Sequence, residues 1–422
     1  MKIQGLRGTR DFYPSLMREL NYIFKIWRVV SERFGYEEFD GPMIEPALLY
    51  KKSGAEIPEQ MYRFKDKSDE ELAVRPELTP TLARMVTAKQ KEFVKPIKWY
   101  SISRSLRYEA PQSGRLREFF QYNVDCLGTD SMKSDAEVIA VGINVLLELK
   151  CNKEDFYIRI SNRKLASSLI SSLGVKEGSL KELSRLIDKY DKLSDIEFVK
   201  GLKDLGLNEK QISKLKGYIS LKSIKKIDIK NLDENGKKGL EELNQLFSYL
   251  EAYGLTEYVE FDFSIMRGFD YYTSTVFEIF DRKKEFRAIA GGGRYDDLVK
   301  DFGGEPCSGI GFGMGDVVLG LLLKKLGKFP ELTIDVDYFI APVSDDVYPK
   351  AAEIASTLRK KYNVSIDVTG RGLSKLIDYA NTIKVKNLVI VGKKDLDTGV
   401  VTVRDMNSGT EKKVKLESIS KI

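Results

Sequence analysis

Arginines and a glutamate are concentrated in residues 107–125, which read RYEAPQSGRLREFFQYNVD. Arg107 and Glu109 precede a turn that contains proline and glycine, the strongest breakers of regular structure, and Arg115 follows that turn. The planar guanidinium group of arginine suits phosphate oxygens, which it can bind through two parallel hydrogen bonds. The stretch therefore predicts a hairpin with phosphate-binding groups at its base and in its loop.

The residues after this turn alternate in polarity, which is typical of a β-strand. Phe119, Gln121, Asn123 and Asp125 would then share one face. Amide and carboxylate groups suit a small ligand that carries hydrogen-bond donors. A solvated hairpin with surface charges explains the stretch equally well, so the rest of the chain must decide.

Composition limits the chemistry that is available. The 422 residues carry a net charge of +6, include no histidine, and are enough for two or three domains. Without histidine, Ser-His-Asp and Cys-His nucleophilic schemes and histidine-ligated zinc are excluded. The three cysteines are far apart and predict neither disulfides nor a metal site, which favours a reducing, cytoplasmic location. We expect no membrane segment, since no apolar run is long enough to span a bilayer.

Two further stretches carry candidate binding residues. Glu77 and Thr79 lie in RPELTP, where a short strand leads into a helix, and could grip an ammonium group. Helix capping by Thr79 is the simpler interpretation of that turn taken alone. Gly291 to Gly293 would let a ligand approach the backbone closely, but they match neither the dinucleotide fingerprint nor the P-loop.

The order of the predicted elements indicates an α+β fold. Strands and helices up to residue 330 predict an antiparallel sheet, interrupted at residues 167–255 by a lysine-rich helical segment that we interpret as an inserted domain. Strands are predicted at 258–266 and 271–280 after it. Residues 332–422 alternate between strand and helix, as in a separate α/β domain.

Four segments in this order, RPELT, RYEAPQSGRLREFFQ, RGFDYYTSTVFE and GGRYDDL, resemble motifs of class II aminoacyl-tRNA synthetases, and specifically of the histidyl-tRNA synthetase family. The resemblance covers nearly the whole chain. It implies a class II catalytic domain at residues 1–330 and an anticodon-binding domain at 332–422. It also implies L-histidine, ATP and tRNA(His) as substrates, Mg²⁺ with the ATP, and a homodimer formed through the segment around Pro42.

The resemblance also implies a role for individual residues. Arg107 and Arg267 would bind the α-phosphate of ATP and stabilise the transition state, while Arg115 would bind the γ-phosphate and Glu109 would lie near the adenine. The histidine-binding residues would be Glu77, Thr79 and Gln121 for the amino group, with Asp125, Tyr271 and Tyr272 around the imidazole.

The sequence departs from the family pattern at two positions. Asp125 stands where the family usually has glutamate, and Val318 stands where the third motif usually has an arginine that holds the nucleotide. The missing arginine leaves a second function open, that of a histidine-binding regulatory subunit of ATP phosphoribosyltransferase. Such subunits tend to lack the nucleotide arginines and the C-terminal domain, whereas this chain has Arg107, Arg115 and Arg267, which favours the enzyme.

Overall fold

A computed structural model describes residues 4–52, 56–175, 177–266 and 271–421. The chain divides into two compact units, Met1–Phe329 and Pro330–Ile422. Each unit combines helices with a sheet of its own, and the sheet of the first unit is mostly antiparallel. The predicted α+β fold class is therefore confirmed.

The first unit contains two sheets in its described part. The larger has eight strands in the order β1-β5-β6-β11-β10-β9-β7-β8, and the smaller has three in the order β2-β4-β3. The strands are β1 (Glu37–Glu38), β2 (Ile44–Pro46), β3 (Tyr62–Lys65), β4 (Glu71–Val74), β5 (Ile97–Leu106), β6 (Glu118–Leu127), β7 (Phe156–Asn162), β8 (Val259–Phe261), β9 (Thr275–Asp281), β10 (Ala290–Arg294) and β11 (Gly309–Gly315).

Helices cover one face of the large sheet. The helices of the unit are α1 (Pro14–Arg33), α2 (Glu56–Gln60), α3 (Thr79–Lys89), α4 (Met132–Glu148), α5 (Arg163–Ser171), α6 (Leu180–Asp188), α7 (Asp195–Asp204), α8 (Glu209–Ile219), α9 (Glu234–Ala252), α10 (Leu298–Asp301) and α11 (Asp316–Leu326). Helix α1 begins at Pro14, whose fixed φ suits the first helical position. Its buried Trp27 stacks on Tyr122 of the sheet, and its buried Phe24 meets Phe120 edge to face.

The two faces of β6 and β11 differ because side chains alternate across a strand. Tyr122 on β6 and Phe312 and Met314 on β11 belong to the core under α1 and α4. The other face carries Gln121 and Asp125 from β6, opposite glycines of β11. Helices of the segment 167–255 contribute buried leucines to the same core cluster as the sheet.

Two predicted strands have different bounds in the structure. The strand predicted at 258–266 is limited to β8, because Asp262 accepts the Ser264 backbone N–H at 2.8 Å and forms a turn. The strand predicted at 271–280 begins only at Thr275. The aromatic residues Tyr271 and Tyr272 before it pack into a tyrosine cluster, so tertiary contacts override β-propensity there.

The second unit is a five-stranded sheet flanked by helices, with strand order β13-β12-β14-β15-β16 in its described part. Its strands β12 to β14 are parallel and β14 to β16 are antiparallel. The elements are β12 (Tyr338–Pro342), α12 (Tyr348–Leu358), β13 (Val364–Ile366), α13 (Leu373–Thr382), β14 (Asn387–Val391), α14 (Lys393–Asp397), β15 (Val400–Asp405) and β16 (Glu411–Lys415). It has its own buried core, separate from that of the first unit.

Candidate active site

The hairpin predicted from residues 107–125 is formed by β5, β6 and the loop between them. The two strands pair along their whole length, from Ile97 opposite Leu127 to Leu106 opposite Glu118. The loop continues the hairpin, since Arg107 donates its backbone N–H to the carbonyl of Arg117 at 2.8 Å. Gly114 turns the loop tip with a φ of +74°, a value that glycine adopts without strain. The arginines of the loop are thereby held at one end of the sheet.

Glycines of β11 make room for the side chains of β6. A Cβ atom on Gly311 would lie 2.1 Å from Oδ1 of Asp125, and one on Gly313 would lie 2.1 Å from Nε2 of Gln121. Gly293 of the adjacent β10 pairs with Gly311, and a Cβ there would lie 3.0 Å from Cδ1 of Tyr272. The floor of the site is therefore bare backbone, against which an amide, a carboxylate and a phenol ring lie directly.

Asp125 is a buried carboxylic acid with one identified partner. Its Oδ1 accepts a hydrogen bond from the hydroxyl of Tyr295. Burial raises the pKa of Asp125 to about 7, while the hydrogen bond from Tyr295 opposes that rise. A carboxyl group that ionises near neutral pH can accept a hydrogen bond from a ligand at physiological pH.

Tyr271 and Tyr272 form one wall of the pocket. Their ring centroids are 4.5 Å apart and their hydroxyl oxygens are 3.5 Å apart. Burial raises the pKa of Tyr272 to about 12; the hydrogen bond with Tyr271 opposes this rise, and the negative charges of Glu77 and Asp125 contribute to it. Burial also raises the pKa of Tyr271, with Tyr272 and Glu77 adding to the effect and Arg107 opposing it. Glu77, Asp125 and Arg107 are thus close enough to these phenols to affect their pKa values.

Glu77 lies between β4 and α3, and Thr79 lies at the start of α3, where the sequence predicted a turn from strand to helix. Thr79 is the first residue of α3, and the capping position is occupied by Leu78, which makes no side-chain cap. The interpretation of Thr79 as a helix cap is therefore wrong. Pro80 follows and needs no hydrogen bond for its nitrogen, which suits a first turn without a polar cap. The Thr79 hydroxyl is thus not used to begin the helix.

The candidate phosphate ligands are arranged along the hairpin. Arg107 donates from Nε to the carbonyl of Pro76 at 2.9 Å, and its guanidinium lies 5.2 Å from the centroid of Phe119. Arg115 in the loop is paired with the carboxylate of Glu109. Arg107 is therefore held beside the pocket, whereas Arg115 and Glu109 are bound to each other. The predicted Arg267 lies outside the described residues.

A buried valine, Val318, packs at the position where the family pattern has an arginine. Val318, in the first turn of α11, is 7% exposed, and a Cβ on Gly114 of the loop would lie 3.3 Å from its Cγ2. Asp316, two residues before Val318 in the same helix, nevertheless binds a guanidinium group, since Arg10 donates to it from Nη2 at 2.7 Å. The loop tip thus packs on the helix at the point where the family pattern would place a charged side chain.

The sequence did not single out two residues that the structure places at the site. The hydroxyl of Tyr295 donates a hydrogen bond to Asp125, and the guanidinium of Arg107 lies over the ring of Phe119. Tyr295 belongs to the GGRYDDL segment, and Phe119 was placed on the same strand face as Asp125. The pattern thus contained both residues, but their contacts depend on pairing between distant segments.

The described residues contain no group of three or more potential metal ligands among aspartate, glutamate and cysteine. No helix in the described ranges has the length and apolar character needed to cross a membrane.

The antiparallel sheet, with an arginine-bearing hairpin beside a glycine-rich strand and helix, and the family model matched by residues 8–315 together identify a class II aminoacyl-tRNA synthetase. Comparison with known proteins narrows this class. Residues 8–315 match the family model "Histidyl-tRNA synthetase", and residues 337–422 match the model "Anticodon binding domain".

The chain belongs to the histidyl-tRNA synthetase family. It is 40% identical over 428 residues to the histidine–tRNA ligase of Pyrococcus abyssi, covering 99% of this chain and 97% of that protein. The histidyl-tRNA synthetase from Nostoc sp. PCC 7120 has the same fold, with a TM-score of 0.85, 24% identity, and coverage of 100% of this chain and 99% of the other. The ATP phosphoribosyltransferase regulatory subunit/histidyl-tRNA synthetase from Bacillus halodurans also shares the fold, with a TM-score of 0.77, 24% identity, and coverage of 93% and 98%.

Proposed function

We infer that this chain is a histidine–tRNA ligase, which activates L-histidine with ATP and transfers it to the 3′ end of tRNA(His). The observation that carries this inference is similarity over 99% of the chain to a ligase, together with a pocket that groups carboxylates, tyrosines and an arginine. Residues 337–422 match an anticodon-binding domain, which also favours the ligase over the regulatory subunit of ATP phosphoribosyltransferase.

The pocket on the glycine floor is the proposed histidine site. An ammonium group requires anionic and polar partners, which Glu77, Thr79 and Gln121 would supply. An imidazole carries two nitrogens and needs partners on both sides of its ring, which Asp125 and Tyr272 would supply. Tyr271 packs against Tyr272 with its hydroxyl oxygen 3.5 Å away, so it would fix the orientation of that phenol.

The proposed ATP site lies along the loop of the hairpin. Arg107 would bind the α-phosphate, and Arg267, outside the described residues, is proposed to bind it as well. Arg115 would bind the γ-phosphate and Glu109 would lie at the adenine, which requires their mutual ion pair to open when ATP enters. Phosphate oxygens can replace the Glu109 carboxylate because they too accept two parallel hydrogen bonds from a guanidinium group.

Mg²⁺ is proposed to arrive with ATP. Mg²⁺ in nucleotide sites is commonly held by substrate phosphates, a few carboxylates and water. The phosphates of ATP would supply most of the ligands of the ion. When bound there, the ion would neutralise part of their negative charge.

The first step is adenylate formation. The carboxylate of histidine attacks the α-phosphorus in line, and pyrophosphate leaves. Negative charge spreads over the phosphate oxygens, so Arg107 stabilises the transition state electrostatically while the pocket aligns the reactants. No protein nucleophile is needed, in agreement with a chain that contains no histidine.

The second step transfers the amino acid to tRNA. A hydroxyl of the terminal ribose attacks the carbonyl carbon of the adenylate, AMP leaves, and a phosphate oxygen of the adenylate accepts the hydroxyl proton. The protein then contributes alignment of the two substrates, and the C-terminal unit would bind the anticodon.

A homodimer is proposed to form through the segment around Pro42 and the small sheet that follows it. Residues paired directly across an antiparallel sheet share a face, as do alternate residues of one strand. One face of the sheet β2-β4-β3 is therefore apolar or aromatic throughout, formed by Ile44, Pro46, Tyr62, Phe64, Leu72 and Val74. Ile44 is 48% and Phe64 42% exposed within one chain. A contiguous apolar patch of this kind is typical of a self-complementary interface.

The protein is proposed to act in the cytoplasm. All three cysteines are unpaired and buried, which suits a reducing compartment.

Pyrophosphate exchange is the experiment that tests the activity. Purified protein with L-histidine, ATP and Mg²⁺ should exchange labelled pyrophosphate into ATP, and Arg107→Ala should lower the rate by about 100-fold or more. Arg28→Ala removes an arginine of α1 that pairs with Glu38, a partner of the core residue Tyr100 on the helix-covered face of the sheet, and should retain the rate. An absence of exchange at saturating substrates would favour the regulatory subunit instead.

A further inference from the structure

Asp125 depends on one hydroxyl group for its orientation. It lies on β6, where its backbone neighbour across the sheet is Gly311. Among the described residues, the hydroxyl of Tyr295 is the one group that hydrogen-bonds to the carboxylate, and it does so at Oδ1. Oδ2 is therefore not engaged by that part of the chain. A carboxylate held at one oxygen presents the other in a fixed direction.

Tyr295 is itself held firmly. Its backbone N–H donates to the carbonyl of Gly309 at 2.7 Å, and its side chain is 2% exposed. A Cβ on Gly309 would lie 2.5 Å from Cε2 of the ring, so the glycine permits the ring to lie against β11. The preceding Arg294 is fixed by a buried ion pair with Asp135. These contacts fix the Tyr295 ring, and with it the position of the hydroxyl.

The segment that carries Tyr271 and Tyr272 is joined to the same structure. The hydroxyl of Thr273 donates to Asp296 at 2.6 Å, and the N–H of Thr273 donates to the carbonyl of Arg294 at 2.7 Å. The ring of Tyr295 lies 6.4 Å from that of Tyr271. Tyr295 therefore contacts both the carboxylate of Asp125 and the tyrosine wall of the pocket.

We propose that Tyr295 is a positioning residue for amino-acid recognition, which holds Oδ1 of Asp125 so that Oδ2 accepts the imidazole N–H of bound histidine. This inference rests on the proposed histidine site and adds a residue that determines specificity. The residue pair Asp125 and Tyr295 thus acts as one recognition unit.

The pair also determines the pH range of recognition. Asp125 must be ionised for both of its oxygens to accept hydrogen bonds, and its pKa is raised by burial to about 7. The groups that influence this pocket are Tyr295 after β10, Tyr272 before β9, Glu77 from the turn before α3 and Glu278 from β9. Burial disfavours ionisation of Asp125, and the hydrogen bond from the hydroxyl of Tyr295 is the contact that favours it. Loss of that hydroxyl therefore raises the pKa of Asp125.

The test compares Tyr295→Phe with Tyr122→Phe. Tyr122 lies on the opposite face of the same strand, and its buried hydroxyl pairs with Ser31 at 2.5 Å, so it is a matched control. Tyr295→Phe should raise the KM for histidine by about 10- to 100-fold at pH 7, with little change in kcat or in the KM for ATP. The KM for histidine should fall as pH rises in both proteins, but in Tyr295→Phe the fall should occur at a higher pH than in the wild type. Tyr122→Phe should retain the wild-type profile.

Asp125→Asn supplies the second arm of the experiment. If the two side chains act together, adding Tyr295→Phe to Asp125→Asn should weaken histidine binding far less than it does in the wild-type background. Full additivity, or a Tyr295→Phe profile that overlays the wild type, would overturn the proposal. Calorimetric titration with histidine measures the same binding without catalysis, so absence of pyrophosphate exchange in the wild type would refute the ligase function while leaving the role of Tyr295 testable.

Discussion

Gly311 and Asp125 are opposite each other on paired strands, and the carboxylate fills the space that any side chain at position 311 would need. A Cβ at that position would lie 2.1 Å from Oδ1 of Asp125 and 2.8 Å from the carbonyl oxygen of Val124. Backbone cannot yield as a flexible side chain can, so an added methyl group must displace the carboxylate.

Gly311→Ala is therefore expected to raise the KM for histidine by at least about tenfold, since a hydrogen bond to a charged group is lost. Steady-state pyrophosphate exchange at varied histidine concentration measures the effect. Gly320→Ala is the matched control, because nothing lies within 4 Å of a Cβ at that position in α11. It should leave the KM unchanged and slightly stabilise the helix. A normal KM in Gly311→Ala would contradict the placement of Asp125 in the histidine site.

Val318→Arg is not expected to restore the contact with the nucleotide that the arginine of the family pattern makes. Val318 is 7% exposed and packs under the loop tip at Gly114, so a long charged side chain must displace the loop that carries Arg115. We expect a several-fold increase in the KM for ATP, with the KM for histidine unchanged. Val318→Ala removes volume without adding charge and should leave the loop in place. A lower KM for ATP in Val318→Arg would show that the site accepts the arginine.

The site illustrates what sequence patterning can and cannot predict. Alternation along β6 placed Gln121 and Asp125 on one face correctly, because side-chain direction in a strand follows from a period of two. The alternation of strand and helix predicted for residues 332–422 is also present, since β12, α12, β13, α13 and β14 follow one another there. Local periodicity is sufficient where the element is regular.

Contacts between distant segments could not be predicted in the same way. The hydroxyl of Tyr295 reaches Asp125 across 170 positions of the sequence, and no local pattern specifies that distance. The pairing of Arg115 with Glu109 was also missed, because their opposite charges were assigned to different parts of a nucleotide. Thr79 was misinterpreted as a cap because the residue type favours that role, whereas Leu78 occupies the position.

The two units should be separable in function. Each has its own buried core, and the boundary lies between Phe329 and Pro330. A chain ending at Phe329 is expected to retain pyrophosphate exchange within a few fold while losing most of its rate of tRNA charging, because anticodon contacts are removed. Circular dichroism and exchange activity report that the shortened chain is folded. Charging at the full-length rate would indicate that the first unit alone recognises the tRNA.

The apolar face of the small sheet should control association. Phe64→Asp introduces a charge among apolar neighbours and is expected to shift the protein from dimer to monomer, because an unpaired carboxylate in a buried interface is strongly destabilising. Light scattering during gel filtration measures the mass. Ile196→Asp is the control, since Ile196 is 82% exposed on α7, far along the chain from this sheet. Retention of the dimer in Phe64→Asp would exclude this face as the interface.

Asp125 should also make the first unit less stable as pH rises. Its pKa is raised by burial to about 7, against about 3.9 for an unfolded chain. Between these two pH values the Asp125 carboxyl is protonated in the folded state and ionised in the unfolded state. The contribution of Asp125 to the free energy of unfolding therefore decreases as pH rises from about 4 to about 7, and it is constant above that. The upper limit of this loss is about 4 kcal/mol, from 1.36 kcal/mol for each pKa unit. Asp125→Asn should therefore match the wild type more closely at pH 5 and exceed its stability at pH 8, while weakening histidine binding. Urea unfolding at both pH values measures the difference.

Asp233→Asn is the control. Asp233 caps α9, and the hydrogen bond from the Gly236 backbone N–H is the main cause that lowers its pKa. The stability of this variant should therefore differ from that of the wild type equally at pH 5 and pH 8. If Asp125→Asn is no more stable than the wild type at pH 8, groups other than the hydroxyl of Tyr295 must also stabilise the carboxylate in the folded protein.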